Sequence, residues 1–149
     1  YNPSFPTFCS IDFGYRMPAV AWFQIHRIEG EWHINVIDEI IHERNIKTDE
    51  LAQRIKAKPY YVREYYGDPA GMQAQGQSGL GDIEVFRMNG INVRSIRDKV
   101  SRNIASGITH VRGFMENANG NRYLHLDNKC IGLAEDISLS INSQLNKEN

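Results

Sequence analysis

Apolar residues in the N-terminal part of the chain fall in three runs, at 8–13, 19–25 and 32–37, separated by 14–18 and by Glu29-Gly30. The runs are rich in Phe, Val, Ile and Trp. The third alternates apolar with polar, the period of a half-buried strand. Turns this short join antiparallel neighbours. The pattern then changes to a helical one. Thr48 reads as an N-cap, with Asp49 and Glu50 suited to the positive end of a helix dipole. Leu51, Ile55 and the alanines between them supply an apolar stripe, and Lys58-Pro59 ends it. Next comes a β-prone stretch, YYVREYYGDPAG, ending at Asp68, where Pro69 and Gly71 stop the strand. A short helix is predicted over 82–88, a short strand over 91–93 and a longer helix over 100–115. In that helix Ile104, Ile108, Val111 and Met115 share one face. A strand at 122–126 and a helix over 128–145, with Leu133, Ile137 and Ile141 on one side, complete the series.

The order βββαβαβαβα predicts an α/β fold: three antiparallel strands extended by parallel strands into a mixed sheet flanked by helices. If the fourth strand lies parallel beside the first, through a right-handed crossover, ligands belong at the carboxyl ends of those central strands. Asp12 is near the end of the first strand and Asp68 at the end of the fourth, so the topology brings two distant carboxylates to one edge. Asp12 also stands inside the otherwise apolar run TFCSIDFGYRMPAVAWFQIH. A buried lone charge there would need a partner. A divalent cation satisfies two facing carboxylates at once, and hard ions such as Mg²⁺ or Mn²⁺ favour carboxylate oxygen. Two such ions about 4 Å apart clamp the attacking and leaving oxygens of a phosphodiester. The competing reading gives Asp12 backbone hydrogen bonds and makes Asp68 a helix cap.

Composition narrows the picture only a little. The 149 residues suffice for one domain with a core. With 17 basic and 18 acidic residues the net charge is -1, so nucleic acid is not gripped by the whole surface, and a local basic patch is needed if DNA binds at all. Cys9 and Cys130 have no metal-ligand spacing and are expected to be reduced, intracellular and packed in the core. No apolar run is long enough to span a bilayer, and no signal peptide is seen. The chain starts with Tyr, as expected of a fragment or a processed product.

Several segments, SIDFGYRMPAVAW, INVIDEI, TDELAQRIK, YYGDPAGMQAQ, DIEVFRMNGINV and VSRNIASGITHVRGFM, together resemble the C-terminal nuclease domain of bacteriophage large terminases. The resemblance runs from about residue 8 to residue 134. It implies a ribonuclease H-like fold, with residues 1–7 as a linker from a missing upstream domain and 8–149 as the nuclease domain. It implies a metal-dependent endodeoxyribonuclease that cuts concatemeric duplex DNA with little sequence preference. Asp12 and Asp68 would be its catalytic residues and metal ligands, and two ions, Mg²⁺ or Mn²⁺, its cofactors. The implied partners are double-stranded viral DNA, the terminase ATPase domain, the small terminase subunit and the portal, without membrane. The implied location is the host bacterial cytoplasm, at the procapsid portal. The resemblance departs at its third acid, which the family carries near the chain end. Glu135 and Asp136 are the nearest candidates here, unless the third acid lies beyond Asn149. Rival readings are a resolvase- or transposase-like nuclease and a catalytically idle docking domain.

Other features carry less. GMQAQGQS at 71–78 has P-loop glycine spacing, but Gln77 replaces the phosphate-binding Lys, so it reads as a loop whose Gln73, Gln75 and Gln77 can touch a DNA backbone. IDFG is similar to the phosphate turn of the actin and sugar-kinase superfamily, but Tyr15 and Arg16 replace its Thr or Ser. VRSIRDKVSR at 93–102 gathers Arg94, Arg97, Lys99 and Arg102, and Arg94, Arg97 and Lys99 are the expected phosphate contacts. Asp38 and Glu39 are expected on the surface of an outer third strand. The five histidines, scattered in sequence, are read as structural or exposed, and the aromatic residues as packing.

Overall fold

The computed structural model describes residues 1–14, 16–68, 81–95 and 104–145, without the side chains of 104, 105 and 141–145. Six strands and four helices occur among them: β1 (Thr7–Asp12), β2 (Ala19–Ile28), β3 (Glu31–Ile40), α1 (Thr48–Lys56), β4 (Val62–Gly67), α2 (Asp82–Met88), β5 (Val93–Ser95), α3 (Ile104–Met115), β6 (Leu124–Leu126) and α4 (Ile131–Leu145). They form one sheet in the order β5-β4-β1-β2-β3-β6. β1, β2 and β3 are antiparallel neighbours. β4 pairs parallel with β1, β5 parallel with β4, and β6 parallel with β3. The mixed sheet read from the sequence is the one observed. β3 is not its outer strand, because β6 closes that side.

Alternation along β1 sets the layers. Thr7, Cys9 and Ile11 are buried on one face, while Ser10 and Asp12 are exposed on the other. The buried face packs against α1 and α2. Cys9, Ile11, Val20 and Trp22 meet Leu51, Ala52, Ile55 and Phe86 in one core cluster. Burying side chains of this size contributes about 1.5–3 kcal/mol each. The stripe of α1 that points to this core is the one its sequence spacing predicts. Its cap is different. Lys47 is the N-cap residue and makes no side-chain cap bond. Thr48 instead donates its hydroxyl to Asp82 Oδ1 at 2.5 Å, fastening α1 to the first turn of α2.

α3 departs further from its pattern. Ile108 and Val111 are exposed, and the helix meets the sheet at its C-terminal end, where the Tyr123 N–H bonds to the Phe114 carbonyl at 2.7 Å. Amphipathic spacing marks a face that can be buried but does not supply the surface that buries it. Trp32 and Tyr61, read as packing residues, are also exposed, at 51% and 85%. Trp32 lies near the tip of the β2–β3 hairpin with the Arg27 guanidinium 4.8 Å from its ring centroid. Thr7, placed in a linker by the sequence reading, already pairs with Gln24 and Val62. The residues before it are held by Gln24, whose Nε2 donates to the Asn2 carbonyl at 2.8 Å. Cys9 and Cys130 are buried free thiols, as expected, and burial pushes both thiol pKa values up, that of Cys130 to about 11.

Asp38 is not on the surface. It is 8% exposed, because β6 covers β3 and the α1–β4 connection lies across it. Its Oδ2 accepts from Lys58 Nζ at 2.8 Å and from the Tyr60 hydroxyl at 2.9 Å, and its Oδ1 accepts the Glu39 N–H at 2.9 Å. Lys129 Nζ, which donates to the Tyr60 hydroxyl at 2.9 Å, brings the β6–α4 turn into the same network. Burial works to raise the Asp38 pKa. The Lys58, Tyr60 and Glu39 hydrogen bonds and the Lys58 charge outweigh it and hold the carboxyl below its ordinary value of 3.8.

Asp38→Ala should therefore cost about 2–3 kcal/mol in urea unfolding, less than a fully buried pair because Lys58 can reach water. A depressed folded pKa means that this stability is present above the ordinary carboxylate pKa and is lost as pH falls through the folded value. Asp38→Asn should remove that part of the acid dependence. An unchanged unfolding midpoint in Asp38→Ala would contradict the network.

Candidate carboxylate site at the strand ends

β1 and β4 run side by side with Ile11 opposite Gly67, and the Asp68 N–H bonds to the Ile11 carbonyl at 3.3 Å. Asp12 ends β1, and Asp68 directly follows β4. They occupy the next level of the same register, on strands about 4.8 Å apart. Strand alternation turns Asp12 to the face away from α1 and α2. Both aspartates are exposed. That removes the problem the sequence posed for Asp12: its apolar neighbours point to the core and it points to water, so no compensating partner is needed.

The close approach has a local cause. A Cβ on Gly67 would lie 2.7 Å from Val93 Cγ1 and 2.8 Å from Phe13 Cε2. Glycine lets Phe13 fold across the end of β4, where its ring meets Phe86 edge-on at 5.2 Å between centroids. Phe13 follows Asp12, and Gly67 precedes Asp68, so one packing contact fixes the backbone beside both carboxylates.

At the centre of the face that carries Asp12, Ser10 is exposed. On this face Phe8 is the cross-strand partner of Phe23, with ring centroids 5.7 Å apart, and Tyr66 lies 6.4 Å from Phe8. Arg94, opposite Tyr66 on β5, is exposed and stands 3.5 Å from Glu64. Of the three expected phosphate contacts, Arg94 alone lies within the described residues. Arg97 and Lys99 fall outside them, as do Gln73, Gln75 and Gln77.

Three other acids, Glu39, Asp136 and Asp82, are engaged elsewhere. Glu39, in line with Ala21 and Ser10 on the same face, accepts the Gly132 and Leu133 N–H groups at 2.8 and 2.9 Å and so caps α4. Asp136 on α4 pairs with His42 Nε2 at 2.9 Å. Asp82 is buried behind the strand ends, where it accepts from Thr48. Sequence reading missed the roles of Glu39 and Asp82, for neither has a local pattern that reveals a partner so distant in the chain. Among the described residues no three His, Cys, Asp or Glu side chains are grouped to hold a metal ion. Asp12 and Asp68 are suited to one hard cation, with water in its other positions. A second ion finds no third carboxylate in the described residues.

No protein-family model and no curated protein matches the sequence. Among solved structures the chain is similar to the nuclease domain of the P22 large terminase, with a TM-score of 0.68 and 15% identity over 93% of this chain and 70% of that one. Fowlpox virus Holliday junction resolvase aligns at a TM-score of 0.45 and 17% identity, covering 86% of this chain and 84% of that one. The fold is ribonuclease H-like, as the resemblance implied. No helix among the described residues is long and apolar enough to cross a membrane.

Gly67→Ala should cost about 1–3 kcal/mol, the range for overpacking a filled site. It should also shift the Asp12 and Asp68 amide resonances far more than those of β3. Urea titration and heteronuclear NMR give both readings. A neutral substitution with unmoved resonances would mean that the Phe13–Gly67 contact does not set the edge.

Proposed function

We propose that the chain is a divalent-metal-dependent endonuclease domain acting on duplex DNA, of the kind that cuts concatemers in viral DNA packaging. The observation that carries this reading is the placement of Asp12 and Asp68, both exposed, at adjacent ends of parallel strands of a ribonuclease H-like sheet. Mg²⁺ or Mn²⁺ bound there would supply charge to stabilise the phosphodiester transition state and to activate water. Asp12 and Asp68 hold and orient the ion through carboxylate oxygens. Phe13 and Gly67 keep the two strand ends at a fixed separation. Arg94, with Arg97 and Lys99, contacts backbone phosphates rather than base edges, which fits cutting with little sequence preference. In this reading the partners are a terminase ATPase domain, a small terminase subunit and a portal, in the host bacterial cytoplasm.

A second reading, an idle docking domain, draws on the engagement of Glu39 and Asp136 away from the edge. Cleavage assays separate the two. Asp12→Asn and Asp68→Asn should each lower plasmid cleavage by at least about a hundredfold, the scale of a lost metal ligand. Their thermal stability should be unchanged or slightly raised, because carboxylate repulsion is relieved. Wild-type protein that stays inactive across Mg²⁺ and Mn²⁺ titrations would favour the idle domain. Full activity in both variants would move the catalytic centre elsewhere.

Arg94→Ala breaks only an exposed ion pair, so stability should change by less than about 1 kcal/mol. Duplex affinity should fall equally on unrelated sequences, and the salt dependence should lose about one unit of slope. Loss confined to one sequence would contradict phosphate contact.

A further inference from the structure

Three histidines that are scattered in the sequence meet at the end of the sheet remote from Asp12. His26 on β2 and His33 on β3 are direct cross-strand partners. His125 on β6 pairs with Asn35, two positions on from His33, so strand alternation places all three on one face. His33 Nδ1 and His125 Nε2 are 3.0 Å apart, and their rings are nearly parallel, at 7°. The His26 and His33 centroids are 5.7 Å apart. Phe5 stacks on His26 at 4.5 Å, and Tyr123 meets His33 edge-on at 5.1 Å.

We propose that His26, His33 and His125 form an acid-sensitive clasp that fastens β6, and with it the entry to α4, to the sheet. The chemistry is that of a shared hydrogen bond. A nitrogen pair 3.0 Å apart holds only while one ring donates and the other offers a lone pair. When both rings are protonated, two N–H groups face each other and two cations stack. β6 is a three-residue strand at the sheet edge, with β3 as its strand partner among the described residues. His26 adds to the strain, because its Nδ1 is buried without a hydrogen-bond partner among the described residues.

The surrounding charges do not offset this. Glu31, two positions before His33 on β3, and Asp127, which follows β6 two positions after His125, are exposed carboxylates. Asp127 Oδ1 accepts the Lys129 N–H at 3.2 Å, and Arg122, before Tyr123, is paired with Glu116 on α3. The N-terminal segment contributes the uncharged Phe5 ring and Tyr1, which lines one pocket with His125 and Asp127, and β2 the neutral side chain of Gln24. Burial first, and then the His33 and His26 charges, hold His125 below its ordinary value of 6.5. The closed form therefore binds fewer protons than the open one. Closure is stable above the ordinary histidine pKa and weakens as pH falls below it. His42 pairs with Asp136 and holds α4 at a separate contact. The clasp is thus read at β6, not at α4.

Hydrogen exchange on the full chain, from about pH 7.5 to about pH 5 and corrected for intrinsic rates, tests this. The reporters are the Asp127 N–H, bonded to the Val36 carbonyl, and the Ile34 N–H, bonded to the Tyr123 carbonyl. Their protection should fall by up to about tenfold per pH unit for each extra proton taken up on opening. Protection of Cys9 and Ile11 on β1 should hold. In His125→Gln and, separately, His33→Gln, the acid slope at the reporters should flatten. Protection that is independent of pH, that falls equally on β1, or that keeps its slope in both variants would overturn the clasp. If one variant does not fold, the other and the wild-type comparison of β6 with β1 still decide.

Discussion

Everything near the carboxylate edge depends on the parallel pairing of β1 with β4. β1 is a six-residue strand with β2 on one side and β4 on the other, so its backbone groups are consumed by the sheet. The register puts Ile11 opposite Gly67 and extends one bond further, from the Asp68 N–H to the Ile11 carbonyl. A slip of one residue would turn Asp68 to the helix-covered face and Tyr65 to water. The core resists that slip, because Tyr65 and Val62 pack against it on the same side as Cys9 and Ile11. The position of two hydrophilic side chains is therefore set by apolar burial on the opposite face of the same strands.

The two sides of the sheet are held by different means. At the carboxyl ends of β1 and β4 the fixing contact is steric: Phe13 fills the space that a side chain at position 67 would need. On the β3 side it is polar. Asp38 gathers Lys58 and Tyr60 from beyond α1, while Lys129 of the β6–α4 turn bonds to Tyr60. Lys58 also lies 5.3 Å from the centroid of the buried Trp22 ring, so its stem and charge serve both the apolar cluster and the ion pair. Glu39, the next residue, faces the other way and caps α4. Two adjacent acids thus tie the same strand end to two different layers, one on each face of the sheet.

The opposite face is built differently from the core. α1 and α2 bury their stripes, but α3 leaves Ile108 and Val111 in solvent and Ser10 stays exposed at the sheet centre. The aromatic residues of that face, Phe8, Phe23 and Tyr66, are half-buried against one another.

The sequence by itself determined the element order, the mixed sheet and the two aspartates as strand-end residues. Each of these rests on local periodicity and on turn residues such as Glu29-Gly30, which act over a few positions. It also made the α1 stripe of Leu51 and Ile55 legible, because helical spacing and burial agree there. Tertiary structure decided what depends on neighbours distant in the chain. It placed β6 outside β3, which buried Asp38 and removed it from the expected surface. It gave the Thr48 hydroxyl to Asp82 rather than to a helix cap. It brought His125 within 3.0 Å of His33 across 92 positions of sequence. The physical reason is common to all three. Backbone period and side-chain type are properties of a segment, whereas desolvation and hydrogen-bond partnership belong to pairs of segments that only the folded sheet brings together.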